Sequence, residues 1–212
     1  MKNTRIYLTR HGETEWNLVH RMQGFQDSPL TLLGLKQAEW LRKGMQAEPL
    51  DAIYASPSPR AVRTAEIVRG DRSIPLETSE AFMEMGFGQW EGCLHSEVAP
   101  RYPEQWHNFW KDPEKFKLEG SETYGEVRTR ALNKLQEILS RHEGQSVLIV
   151  THTITIKLLM SYFEGKAMEE LWGLPEIHPT SLCRIDIADG TPQIVLHGDI
   201  SHYEASEAGT EL

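Results

Sequence analysis

The sequence predicts an α/β fold with a mostly parallel central sheet, and three features of its apolar pattern carry that prediction. Residues 4–9 (TRIYLT) and 147–151 (VLIVT) are short, β-branched apolar runs of the kind that form strands buried on both faces. Weaker runs of similar character lie at 52–55, 75–78, 182–187 and 193–196. Between them, apolar residues recur at helical spacing, and strands alternating with helices are the pattern of a parallel sheet with crossover connections.

Taken in chain order, the first strand runs into Thr9-Arg10-His11-Gly12. A helix is expected over 31–46, with Leu35, Ala38, Leu41 and Met45 among its apolar positions. After the strand at 52–55, Ser56-Pro57-Ser58-Pro59-Arg60 carries a helix-start signal, which puts Arg60 in the first turn. Residues 93–120 read differently: Tyr102, Trp106, Phe109, Trp110 and Phe116 are interrupted by Pro100, Pro103 and Pro113, the pattern of an insertion of short helices and loops. A helix over about 121–141 presents Val127, Ala131, Leu135 and Ile138 on one face. The strand at 147–151 then runs into Thr151-His152, and a further helix follows. The tail from Ser201 is polar and acidic and is expected to fray. The 212 residues read as one domain.

Composition narrows the function classes. Hydrophobic residues make up 39% and charged residues 25%, ordinary for a globular protein. No apolar run approaches the ~20 residues of a membrane span, and the apolar stretch near the N-terminus is too short for a secretory segment. Cys93 and Cys183 have no metal-ligand spacing and read as reduced thiols, so a cytoplasmic location is expected. A net charge of −9 argues against nonspecific nucleic-acid or anionic-membrane binding. It does not argue against a small anionic ligand, because exposed charges beyond ~8 Å are largely screened at physiological salt.

Ligands of open α/β sheets bind beyond the carboxyl ends of the strands. That is where Arg10 and His11 fall, and His152 falls at the equivalent place on the later strand. If the two strands are neighbours, two imidazoles and a guanidinium converge; spacing alone leaves open whether they are. A helix N-terminus attracts phosphate through its unpaired N–H groups and dipole, and Arg60 there adds a planar, permanently charged donor.

Leu8-Thr9-Arg10-His11-Gly12-Glu13-Thr14-Glu15-Trp16-Asn17 resembles the signature of the histidine phosphatase superfamily, the phosphoglycerate-mutase-like proteins. The resemblance continues through Ser28-Pro29-Leu30-Thr31 with Gly34 and Ala38, and through 55–61 with Thr64-Ala65. It resumes at Glu84-Met85-Gly86-Phe87-Gly88-Gln89-Trp90-Glu91-Gly92, Gly120-Ser121-Glu122 and Val150-Thr151-His152. It implies a three-layer sandwich with helices on both sheet faces. It also implies that His11 is a phosphorus nucleophile, that Arg10, Arg60 and His152 bind the transferring phosphoryl group, that Asn17 donates a hydrogen bond to it, and that Glu84 is the general acid/base. The residue types suit this chemistry. A neutral imidazole can attack phosphorus in line, and fixed arginines stabilise the charge of the transition state without a metal.

Glu13, Glu80 and Glu91 lie near the same motifs, but only Glu84 matches the acid position; Glu91 reads as a structural hydrogen-bonding residue. Among the other histidines, His20, His95, His107, His142, His197 and His202 are assigned to surface or structure, and His178 is placed nearest the pocket. No zinc or P-loop spacing is present, and neither metal nor cofactor is expected. Two departures from the family pattern stand out. Thr153 follows the second histidine where many relatives have glycine, and the chain between Pro59 and Gly120 is too short for the extra segment of glycolytic cofactor-dependent mutases. That shortness favours hydrolysis of a small phosphorylated metabolite. A cofactor-dependent phosphoglycerate mutase and a non-catalytic phospho-ligand binding module remain the alternatives.

Overall fold

The computed structural model describes residues 3–204. Its elements run β1 (Asn3–Arg10), α1 (Glu15–Leu18), α2 (Leu32–Gly44), β2 (Ala52–Ala55), α3 (Pro59–Arg69) and β3 (Leu76–Thr78). They continue as α4 (His95–Arg101), α5 (Pro103–Lys111), α6 (Tyr124–Arg141), β4 (Ser146–Thr151), α7 (Thr153–Glu164), β5 (Leu182–Ala188) and β6 (Thr191–Asp199), with short 3₁₀ turns between. The strands form one sheet in the order β3-β2-β4-β1-β5-β6. β3, β2, β4 and β1 are mutually parallel, and β5 and β6 join as an antiparallel edge.

Strand alternation builds the two cores. Tyr7, Ile53, Ala55, Leu148 and Val150 point to one face and pack with Leu41 and Met45 of the α2 region and with Ala61, Ala65 and Val68 of α3. Ile6, Leu8, Ala52, Tyr54, Val147 and Ile149 point to the other, against Ala131, Leu135 and Ile138 of α6 and Ile156, Leu159 and Met160 of α7. Helices therefore cover both faces, and the whole of β4 is buried, which explains its continuous apolar sequence. The result is an α/β sandwich of three layers with a mostly parallel sheet, as the sequence predicts.

The 93–120 stretch contains α4, α5 and a 3₁₀ turn (Pro113–Lys115). Its rings surround Trp90, fully buried, with centroids of Tyr102, Trp106, Phe109 and Phe116 at 5.3–5.9 Å. Edge-to-face and tilted ring pairs of this kind add to the area they bury. The tail differs from the expectation as far as Glu204. Tyr203 packs on Trp40 at 5.4 Å and donates its hydroxyl hydrogen bond to the Pro179 carbonyl, and Glu204 pairs with Lys43. An aromatic with a polar tip has a docking site here that its polar neighbours in sequence concealed. The remainder of the tail lies outside the described residues.

Candidate active site

β1 and β4 are adjacent and in register, with Arg10 opposite Thr151, so the next residues, His11 and His152, leave the sheet side by side. The His11 N–H continues the ladder to the Thr151 carbonyl at 3.0 Å. β2 flanks β4 on its other side, and its end leads through Ser56 to α3, which carries Arg60. Three neighbouring parallel strands thus deliver Arg10, His11, Arg60 and His152 to one place, beyond the strand ends where such folds bind ligands. A cavity of about 660 Å³ is lined by these four residues together with Asn17 and Glu84.

His11 is 3% exposed, and its Nδ1 lies 2.7 Å from the Gly12 carbonyl oxygen. A carbonyl can only accept, so Nδ1 carries the hydrogen and the Nε2 lone pair is free. Burial, reinforced by the nearby Arg60 and Arg10 guanidinium groups, holds the His11 pKa well below 6.5, which keeps the ring neutral. His152 is held down in the same way, first by burial and then by Arg60 and His11. Its Nε2 is hydrogen-bonded with Ser56 Oγ at 2.8 Å, and its Nδ1 faces Arg60 Nη2 at 3.4 Å.

Arg60 is almost fully buried and anchored from the 24–27 loop. Nη1 donates to Asp27 Oδ1 and the Gln26 carbonyl, both at 2.7 Å, and Nη2 donates to the Gly24 carbonyl at 3.0 Å. Arg10 donates through Nη1 to the Ile177 carbonyl at 3.0 Å. The Nε–H groups of both arginines are buried with no partner among the described residues. A buried unpaired donor costs about 1–3 kcal/mol, a cost an oxyanion between them would offset. The Asn17 Oδ1 is engaged by Thr14 in the capping box of α1, so the amide's NH₂ end is its uncommitted side.

Glu84 is 9% exposed and accepts from the Met85 N–H (2.9 Å) and the Ile154 N–H (3.3 Å), the latter in the first turn of α7. Both bonds favour the carboxylate, as do Arg60 and Arg10, yet burial outweighs them and raises the Glu84 pKa above 4.5. Two of the competing glutamates have partners of their own. Glu91 accepts from the Phe25 and Phe87 N–H groups, and Glu13 accepts from the Thr31 hydroxyl, although Glu13 also lines the cavity.

Several lining residues were not read from the sequence. His20 and His95, assigned above to surface or structure, line the cavity, because the His95 N–H donates to the His20 carbonyl at 2.9 Å and draws α4 to the mouth. His178 does not line it. Pro179 does, while His178 turns toward Glu176 at 3.7 Å. Asp27, the anion that anchors Arg60, sits in an ordinary polar loop with no local signal of its role. Trp172 gave an aromatic signal outside any recognised motif; it lines the cavity and donates to the Phe109 carbonyl at 2.7 Å. Of the 93–120 rings, Phe109 and Trp110 reach the cavity. A second cavity of about 600 Å³ shares Trp110, Thr153 and Trp172 with the first and adds Trp106, Lys111 and Lys157. Among the described residues there is no cluster of His, Cys, Asp and Glu able to hold a metal ion.

Residues 6–200 match the sequence profile of the histidine phosphatase superfamily (branch 1). Phosphoserine phosphatase 1 of Hydrogenobacter thermophilus is 33% identical over 168 residues, covering 79% of this chain and 80% of that protein. The adenosylcobalamin/alpha-ribazole phosphatase of Escherichia coli is 30% identical over 171 residues, covering 79% and 83%. Among solved structures, Bacillus stearothermophilus YhfR superposes with a TM-score of 0.91 at 45% identity, covering 94% of this chain and 98% of that one.

Proposed function

The chain belongs to branch 1 of the histidine phosphatase superfamily and is a metal-independent hydrolase of small phosphate monoesters, and we propose that it works through a phosphohistidine formed on His11. The observation that carries this reading is the state of His11: buried, neutral, with Nδ1 committed to the Gly12 carbonyl and the residue lining the arginine-containing cavity. The Nε2 lone pair attacks phosphorus while Arg10, Arg60, His152 and the Asn17 amide hold the phosphoryl oxygens. The two arginine charges and the neighbouring dipoles are in place before the reaction, so little reorganisation is needed as negative charge spreads over those oxygens.

Glu84, whose pKa is raised by burial, gives its proton to the leaving alkoxide. The resulting carboxylate then takes a proton from the water that cleaves the phosphohistidine, and both partners return to their starting states. The substrate is a small phosphorylated metabolite. The indole-lined compartment next to the phosphate site supports an alcohol portion with an apolar surface, since each ring offers a large contact area. A cytoplasmic location belongs to the same reading, supported by two free cysteines and by the absence, among the described residues, of a helix long and apolar enough to cross a membrane.

The test is rapid-quench labelling with a phosphorylated substrate. Wild type should acquire acid-labile, base-stable phosphate, and His11→Ala should acquire none and lose turnover. Undiminished turnover by a folded His11→Ala protein sinks the reading.

A further inference from the structure

Glu84 sits on a stretch with no helix or strand of its own, between the 3₁₀ turns Glu80–Phe82 and Gly88–Trp90. Buried backbone polar groups in such a stretch must find partners outside regular structure. Here one side chain supplies three of them. Arg130, on α6, donates from Nη1 to the Ala81 and Met83 carbonyls and from Nη2 to the Glu84 carbonyl, all at 2.9 Å. Its Nε and Nη2 also form a two-point contact with the Glu122 carboxylate at 2.8 and 2.9 Å. All five guanidinium N–H donors are thereby used. Glu122 closes the clamp from the other side: its Oε2 accepts from the Gly86 N–H at 2.9 Å, and its own N–H donates to the Gly86 carbonyl at 2.8 Å.

The backbone of Glu84 is therefore gripped on both flanks by a single ion pair, neither member of which lines the catalytic cavity. Residues 82 and 83 are further tied by the Thr151 and Thr155 hydroxyls. We infer that Arg130, oriented by Glu122, is a positioning residue that fixes the Glu84 carboxyl at the distance and angle needed for proton transfer to the leaving group. A lysine cannot replace it, because an ammonium has three donors on one atom and cannot span three carbonyls and a carboxylate. The requirement is geometric. Misplacing a catalytic group by about 1 Å can cost on the order of 10²-fold, even when the altered residue is remote from the chemistry.

The inference rests on the reading of Glu84 as the general acid, so the experiment tests both. Arg130→Lys, Glu122→Gln and Glu84→Gln are compared with wild type across phosphate esters from p-nitrophenyl to alkyl phosphates, with kcat/KM plotted against leaving-group pKa. Thermal melts on the same preparations report folding. A displaced acid steepens the dependence. Arg130→Lys and Glu122→Gln should lose roughly 10²-fold on alkyl phosphates and less than about tenfold on p-nitrophenyl phosphate. Combining either with Glu84→Gln should steepen it no further than Glu84→Gln alone.

A uniform loss across all esters in both clamp variants, or no loss, while Glu84→Gln steepens the dependence, overturns the positioning role and leaves the acid assignment standing. A flat response from Glu84→Gln itself overturns the acid assignment and the inference with it. If Arg130→Lys does not fold, Glu122→Gln, which keeps the shape of the clamp, decides alone.

Discussion

His11 and His152 stand with ring centroids 5.2 Å apart and planes inclined at 61°, an edge-on pair released from the ends of two adjacent parallel strands. Each ring has one nitrogen fixed by a neighbour, Nδ1 of His11 by the Gly12 carbonyl and Nε2 of His152 by Ser56 Oγ. Burial first, and then the charges of Arg60 and Arg10, disfavour protonation of either ring. The pair therefore enters the reaction neutral, one ring able to attack and the other able to gain a hydrogen bond to the transferred group.

Glu84→Gln keeps the shape of the acid and removes its proton. Hydrolysis of alkyl phosphates should slow by roughly 10²–10⁴-fold. The phosphorylation step with p-nitrophenyl phosphate, whose leaving group needs little protonation, should suffer less. Single-turnover measurements of phosphoenzyme formation check this, and equal losses for both ester classes would move the acid to another residue.

The pH profile follows from the directions of two shifts. His11 must be neutral, and its pKa lies well below 6.5, so the acid limb of kcat/KM should appear well below that value. Glu84 must be protonated, and its pKa is raised above 4.5, so activity should fall as pH rises through that raised value. Substrate ionisation is common to wild type and Glu84→Gln. Dividing the two profiles cancels substrate ionisation and His11 alike and isolates Glu84, whose alkaline limb should be missing from the variant. An alkaline limb of equal size in both proteins would show that Glu84 is not its source.

Positive charge at the site comes from Arg10 and Arg60, so exhaustive treatment with EDTA should leave turnover unchanged. Vanadate, which can take the geometry of the transferring phosphoryl group, should inhibit competitively. Activity lost to the chelator and restored by a divalent ion would contradict the arginine-based account.

Gly12 and Gly34 bring two backbones into contact. A Cβ on Gly34 would stand 2.1 Å from the Glu13 carbonyl oxygen, and one on Gly12 would stand 2.4 Å from the Gly34 carbonyl oxygen. The atoms opposed are backbone, which cannot step aside. Gly34→Ala should therefore destabilise the fold by about 1–3 kcal/mol and lower activity by displacing the loop that follows His11. Denaturant melts with parallel kinetics test it, and an unperturbed Gly34→Ala protein would show that the close approach is dispensable.

A mutase must shield its phosphohistidine from water and hold a bisphosphate. Of the basic residues in the 93–120 stretch, Lys115 is engaged by Asp112 at 2.6 Å, and Lys111 lines the adjoining indole-rich cavity. Phosphate release from small esters should therefore dominate, with slow or no interconversion of 2- and 3-phosphoglycerate even when 2,3-bisphosphoglycerate is added. A coupled mutase assay beside phosphate release on one preparation checks this. Mutase turnover far above phosphate release would reverse the assignment while leaving the His11 chemistry intact.

The elements and the chemical types at the strand ends are legible along the chain alone. Val127, Ala131, Leu135 and Ile138 predict the buried face of α6 because helix periodicity is a property of neighbours along the chain. The apolar run at 147–151 predicts β4 for the same kind of reason. That β1 lies beside β4, that Asp27 anchors Arg60, and that His95 rather than His178 reaches the cavity emerge only in the folded chain. So does the fact that Arg130, three residues after Val127, faces the segment carrying Glu84. These facts depend on residues from 33 to 141 positions apart, and no local periodicity encodes such contacts. The protonation states of His11 and Glu84 belong to the same class. Desolvation is set by everything packed around a group, so the lowered pKa of His11 and the raised pKa of Glu84 exist only once the chain has closed over them.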